Sequence, residues 1–123
     1  MNYAFIAHSI KESDAHMVYE LGSVVENQGL PPEYWYEHQG TQYAFDKVQG
    51  SNLYIGLITS ARHVNTVIQL WQYARSQGLS ALLMVERGIN LPSAVSRDPN
   101  VLVFRRFAPE NPIRFVEMYF SMR

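Results

Sequence analysis

Polar and aromatic side chains cluster where three predicted strands of this chain end. They comprise an imidazole, two hydroxyls, an ammonium group, an indole and an amide: His8, Ser9, Ser60, Lys11, Trp35 and Asn65. Ligands of open parallel sheets bind outside the carboxyl ends of the strands. Hydroxyl and amide groups would hold a nucleotide there, Lys11 would meet a phosphate, and aromatic rings would stack on a base. The sequence therefore predicts a nucleotide site at this edge.

The hydrophobic pattern predicts the elements that position these side chains. Apolar runs predict strands at 3–8, 53–59, 81–85 and 101–104, and 33–37 is either a short edge strand or an ordered loop. Apolar residues spaced by three or four predict helices at 14–28, 64–77 and 112–120, with one or two helical turns at 43–48. Gly29 and Gly78 end two of these helices, Pro112 begins the last, and 88–100 is predicted to be a loop.

Strands that alternate with helices favour a parallel sheet covered on both faces. We therefore predict an α/β fold, a flavodoxin-like three-layer sandwich with a central, mostly parallel five-stranded sheet. A chain of 123 residues is predicted to form a single domain over 1–123.

Composition excludes several classes of partner. The 10 basic and 11 acidic residues give a net charge of -1, so the sequence predicts no nucleic-acid binding. The chain has no cysteine, which excludes disulfides and thiolate metal sites, and no apolar run approaches the roughly 20 residues that span a bilayer. Since residues 1–6 lack a basic leader, we expect a cytoplasmic protein.

Several segments resemble Toll/interleukin-1 receptor (TIR) domains of the prokaryotic type. Residues 3–9 (YAFIAHS) are similar to the phenylalanine-isoleucine strand and small-histidine-serine turn with which such domains begin. Asp14 and an amphipathic helix ending at Gly29 follow, as in that family. Residues 45–60 are similar to its short helix and hydrophobic strand ending in serine, and 64–74 and 81–85 to the next helix and strand.

Gln69 stands where this resemblance places a catalytic glutamate. In TIR domains this helix carries a Glu-Leu pair, and in the NAD-cleaving members that Glu attends the ribose, whereas here the pair reads Gln69-Leu70. A glutamine keeps one carbonyl acceptor but has no charge, so it cannot act as a base or a nucleophile. Losing such an electrostatic contribution commonly costs about 100- to 1000-fold in rate. The resemblance therefore implies NAD as a substrate, not a cofactor, that is bound and turned over poorly.

The same helix also resembles that of nucleoside deoxyribosyltransferases, in which a Thr precedes a nucleophilic Glu by three positions, as Thr66 precedes Gln69. Three functions follow from the two resemblances. The first is an NAD-processing signalling domain of prokaryotic immune defence, inactive because of Gln69, whether native or engineered. The second is a non-catalytic TIR-like adaptor, and the third is a deoxyribosyltransferase-like enzyme.

The TIR resemblance also implies association with a second copy or with another TIR-like or effector protein. Active sites of the enzymatic members are often completed by a neighbouring subunit. The candidate contacts are the Trp35 region, expected to be exposed, and the aromatic side chains of the last helix: Phe115, Tyr119 and Phe120.

Each candidate also has an ordinary structural interpretation. Gln69 lies off the apolar stripe of its helix, which fits either solvent or a cleft, and His8 could bond to nearby backbone. The other three histidines lack metal-ligand spacing and are predicted on the surface with no metal site: His16, His38 and His63.

Overall fold

The computed structural model describes residues 2–105 and 111–122 of the chain. These residues form five strands: β1 (Ala4–Ser9), β2 (Pro32–Tyr34), β3 (Leu53–Ile58), β4 (Ser80–Glu86) and β5 (Val101–Phe104). Five α-helices accompany them: α1 (Ala15–Asn27), α2 (Thr41–Gly50), α3 (Val64–Ser76), α4 (Ser93–Ser96) and α5 (Pro112–Ser121). Short 3-10 turns, Glu12–Asp14 and Glu37–Gln39, precede α1 and α2.

The strands form one sheet in the order β2-β1-β3-β4-β5. All four strand pairings are parallel, and β1 and β3 lie side by side from Ala4 opposite Leu53 to Ser9 opposite Ile58. The predicted α/β fold with a five-stranded, flavodoxin-like sheet is therefore confirmed. β2 lies at one edge and begins with Pro32, a residue that edge strands tolerate because its missing N–H removes no bond from a central ladder.

Two apolar clusters cover the two faces of the sheet. Phe5 and Ala7 of β1 face the cluster that includes α2 and α3, whereas Ala4 and Ile6 face the cluster that includes α1 and α5. Alternate side chains of a strand point to opposite faces. Because both faces of the sheet are buried, the strands are continuous apolar runs in the sequence. Their positions could therefore be predicted from the hydrophobic pattern.

Gly56 lets α3 approach the sheet closely. A Cβ atom at this position would lie 2.9 Å from both Leu83 Cδ1 and Val67 Cγ1. Tyr54, two residues earlier on the same face, donates a hydrogen bond from its buried hydroxyl to the carbonyl of Val67 at 2.8 Å. The position of α3, the helix that carries Gln69, thus depends on the absence of a side chain at Gly56 and on one buried hydrogen bond from Tyr54.

Two predictions of local structure are wrong. The helical turns expected at 43–48 extend to a full helix, Thr41–Gly50. The predicted loop 88–100 contains α4, in which Val95 is 1% exposed and joins the core, so a short helix forms where one apolar side chain can be buried.

No helix within the described ranges is long and apolar enough to cross a membrane.

Candidate functional site

A hollow of about 160 Å³ lies at the carboxyl edge of the sheet. Its walls come from the ends of β1 and β2, the turn after β2 and the loop that leads into α3. The lining side chains are His8, Ile10, Trp35, Glu37, Arg62 and His63. Polar groups from three separate segments therefore meet at the edge where parallel sheets bind ligands.

Ser9 and Ser60 hold this edge together. The Ser9 side chain is 1% exposed; its Oγ donates to the carbonyl of Ser60 at 2.7 Å and accepts from the backbone N–H of His63 at 2.9 Å. Ser60 Oγ accepts from the backbone N–H of Arg62 at 3.3 Å. Both hydroxyls are thus engaged in shaping the loop before α3.

Trp35 is a buried wall of the hollow. It is 4% exposed, and its indole N–H donates to the carbonyl of Gly40 at 3.1 Å. Its ring meets that of His63 edge to face, with centroids 6.0 Å apart. The expected exposure of Trp35 is therefore wrong, because the residue turns into the core between the more exposed Tyr34 and Tyr36. Residues 36–38 beside it are exposed, and the role of this region as a partner contact stays a prediction.

Glu37 lies across the mouth of the hollow from two basic side chains. Its Oε2 is 3.2 Å from His63 Nε2 and 3.9 Å from Arg62 Nη2. The His63 contact satisfies the distance but not the geometry of a hydrogen bond, so the buried Nε2 atom has no hydrogen-bonding partner among the described residues. Since the Glu37 side chain is 62% exposed, these ion pairs contribute little to stability.

Burial lowers the pKa of His8 below its usual value of 6.5, and the nearby His63 acts in the same direction, while a hydrogen bond with the Trp35 backbone partly opposes both. The ring also meets Tyr36 edge to face, with centroids 6.2 Å apart. His8 is therefore held neutral within a cluster of rings, as its local-bonding interpretation expects.

This lowered pKa predicts that acid destabilises the protein through His8. As the pH falls below about 6.5, His8 becomes protonated in the unfolded chain. In the folded chain it becomes protonated only at a lower pH, because its pKa is lower there. The free energy of unfolding therefore falls over this range. The urea midpoint of His8→Gln is expected to decline less between pH 7.5 and 5.5 than that of the unsubstituted protein. His16→Gln, at an exposed position, is the control and should leave the decline unchanged, and equal declines in all three proteins contradict the prediction.

Of the predicted site residues, His8 and Trp35 line the hollow, Ser9 and Ser60 shape the adjacent loop without lining it, and three others lie elsewhere. Lys11 Nζ lies 3.3 Å from Glu86 Oε2 in a partly exposed ion pair. Asn65 and Gln69 are exposed on α3. The structure thus brings together His8, Ser9, Trp35 and Ser60, but leaves the carboxamide of Gln69 facing solvent.

Four lining residues were missed by the sequence interpretation: Ile10, Glu37, Arg62 and His63. His63 was predicted on the surface, but its side chain is 27% exposed and lies against Trp35. The available signal was the position of Ile10, Arg62 and His63 shortly after predicted strands, and of Glu37 at the end of the segment 33–37. No group of three or more histidine or acidic side chains suited to a metal ion occurs in the part of the chain that the structure describes.

Comparison with known proteins identifies the fold. No protein-family model matches the sequence, and the comparison with curated proteins gives no match. Among solved structures, the chain is similar to one described as the crystal structure of the RPS4 and RRS1 TIR domain heterodimer. The match has a TM-score of 0.63 and 9% identity, and it covers 99% of this chain and 95% of that chain. The likeness shows a TIR-like fold.

Proposed function

We propose that this chain, which has a TIR-like fold, is a protein-interaction module without NAD-cleaving activity of its own. The observation that carries the proposal is a pair of exposed methionines at the carboxyl end of α5, one within the helix and one at its cap. Met118 is 57% exposed and Met122 is 82% exposed. Because they are four residues apart, they lie on one face of the helix end. Gln69, which is uncharged and exposed away from the hollow, supports the absence of catalysis.

The aromatic residues of α5 pack against the core beside the exposed methionines. Tyr119 and Phe120 are half-buried, pack against the core and meet edge to face with centroids 5.1 Å apart, and Phe115 is also half-buried. The two methionines offer the larger exposed area, and methionine packs adaptably at binding surfaces. The solved structure with a similar fold is a heterodimer of TIR domains, which supports a second TIR-like domain, or a second copy of this chain, as the partner.

Introducing charge on this face is expected to weaken association. The double variant Met118→Glu and Met122→Glu should stay folded, because both side chains are exposed. Its dissociation constant should rise about tenfold or more, since two unpaired carboxylates would be desolvated in the contact. Sedimentation over a range of concentrations, alone and with the candidate TIR-like partner, measures this effect.

The control is Gln72→Glu, which adds one negative charge at an exposed position of α3 on the opposite layer. It should associate as the unsubstituted protein does. Equal association of the methionine variant and this control would show that α5 is not the contact.

An NAD-processing function at the carboxyl edge is the second proposal. It is favoured by the meeting of His8, Trp35 and His63 around one hollow at the edge expected for a nucleotide. The volume of about 160 Å³ is below the roughly 300–1,000 Å³ of ligand sites, so the turn at 36–40 would have to move for NAD to enter. A role in immune signalling and a cytoplasmic location stay predictions of the TIR resemblance.

The variant Gln69→Glu separates the two proposals. We expect it to leave NAD intact, because a carboxylate at this exposed position stays in water rather than beside a bound ribose. Chromatography of NAD and its products over time measures the outcome, with Gln72→Glu as the matched control. NAD cleavage by Gln69→Glu alone would overturn the interaction-only function and establish a silenced enzyme.

A further inference from the structure

A second hollow lies at the opposite, amino edge of the sheet and has a volume of about 380 Å³. It lies where β5 begins beside β4, between the end of α3 and the side of α5. The lining residues are Arg75, Leu79, Ala81, Leu82, Pro99, Asn100, Val101, Leu102 and Phe115. It is separate from the carboxyl-edge hollow and from the exposed methionines of α5.

The floor of this hollow is an unpaired stretch of β4. β4 pairs with β3 from Ser80 onward, but its pairing with β5 starts only at Leu83, opposite Val101. Before Val101 the chain turns away, as the N–H of Asn100 donates to Asp98 Oδ1 at 2.8 Å. The fifth strand position of the sheet is therefore vacant beside the first three residues of β4.

Ala81 presents a free backbone donor and acceptor to this vacancy. The N–H of Arg87 donates to the carbonyl of Phe104 at 2.8 Å, so this residue directs its backbone groups towards β5. Alternate residues of a strand direct them to the same side, which places the N–H and C=O of Ala81 on that side as well. Within residues 2–105 and 111–122, the pairing of β4 with β5 begins only at Leu83, and none of the backbone bonds outside helices and strands involves Ala81.

The walls suit the side chains of an added strand. Leu79 and Ala81 belong to the apolar cluster on the α3 side, whereas Leu82 and Phe115 belong to the cluster on the α5 side. A strand beside Ala81 would direct its alternate side chains to these two walls. Main-chain bonds to a free edge combined with pockets for alternate side chains are the features of strand addition.

The Arg75 guanidinium, already paired with the Asp98 carboxylate, lies at one end of the vacancy. Its Nη1 donates to Asp98 Oδ2 at 2.6 Å, and its guanidinium lies 4.7 Å from the centre of the Trp71 ring. A guanidinium has five N–H donors, so others remain for a second acceptor, and the side chain is 41% exposed. Because Arg75 lies at the end of α3, just before β4 in the chain, it marks the amino end of β4.

We propose that this hollow binds the carboxyl-terminal end of a partner polypeptide as a short strand antiparallel to β4. Its last residues bond to the backbone of Ala81, its apolar side chains occupy the two walls, and its terminal carboxylate pairs with Arg75. An antiparallel direction is required because only then does the segment end at the amino end of β4. The start of β5 at Val101 limits the added strand to two or three residues.

The test uses the peptide acetyl-Ala-Val-Leu-Val, with a free carboxyl terminus and with an amidated one, added to ¹⁵N-labelled protein. The free acid should cause saturable shifts of the Leu79, Ala81 and Asn100 amide signals. The amidated peptide should bind about tenfold more weakly, because it loses the charge-assisted bond to Arg75. Shifts confined to other regions, no shifts, or equal binding of the two peptides would each overturn the proposal.

Arg75→Gln should reduce binding of the free acid about tenfold while barely changing that of the amidated peptide. Arg97→Gln removes the same charge from an exposed position outside the hollow and should leave both affinities within about twofold. If Arg75→Gln does not fold, the comparison of the two peptides on the unsubstituted protein still decides the question. Line broadening of the same amides with protein concentration alone would assign the hollow to a second copy of this chain instead.

Discussion

The variant Trp35→Ala is expected to lose about 3–5 kcal/mol of the free energy of unfolding, the usual cost of removing a buried tryptophan. Trp35 is 4% exposed and belongs to the cluster beneath α2 and α3. The substitution also removes the indole bond to the carbonyl of Gly40. We expect the turn between Tyr36 and Gly40 to open with it, exposing His8 and His63. Chemical denaturation measures the stability, and amide exchange of residues 36–40 measures the opening.

Trp35→Phe is the matched control for this prediction. It keeps most of the apolar contact but loses the hydrogen bond to Gly40, so about 1–2 kcal/mol should be lost. Exchange at 36–40 should rise for both variants but more for the alanine. A Trp35→Ala protein as stable as the unsubstituted one would contradict the burial of this ring.

The variant Gly56→Val is expected to lose about 2–3 kcal/mol, because side chains forced into a packed core displace their neighbours. A Cβ here would lie 2.9 Å from Leu83 Cδ1 and Val67 Cγ1, and 3.2 Å from the Tyr54 hydroxyl oxygen. Relief of these contacts would push α3 away from β3 and lengthen the bond between Tyr54 and the Val67 carbonyl. Urea denaturation measures the loss, and a shift of the Tyr54 ring signals reports the displacement.

The double variant Gly56→Val and Val67→Ala tests whether the loss of stability comes from contact between the new valine and α3. Removing the Val67 methyl groups creates space for the new side chain, so the double variant should lose less than the two single losses added together. Simple additivity would show that the cost of Gly56→Val does not come from the approach of α3.

The fold was predictable because burial on both sides of the sheet leaves a continuous apolar signal. β3 was expected at 53–59 and occupies Leu53–Ile58, and β5 was expected at 101–104 and occupies Val101–Phe104. The short elements were harder, because contacts distant in sequence decide them. β2 has three residues, each opposite β1, and α4 depends on the burial of Val95.

The candidate site was predictable only where a side chain follows directly from a strand. His8 and Trp35 were expected at the carboxyl edge and line its hollow. Glu37, Arg62 and His63 depend on how two loops fold against each other, which no periodic pattern encodes. For Gln69, periodicity left solvent and a cleft as alternatives, and the packing of α3 leaves the side chain exposed.

The all-parallel sheet has a consequence for synthesis on the ribosome. β1 pairs on one side with β2 and on the other with β3, whose Leu53 lies opposite Ala4. Because the paired strands are parallel, none of these pairs can form a local hairpin. Residues far apart in the sequence must come together before any strand pair forms, and closing such long loops costs entropy. During synthesis, Phe5 and Ile6 of β1 therefore stay uncovered until β2 at Pro32–Tyr34 and then β3 at Leu53–Ile58 have been made, and aggregation is most favoured in this interval.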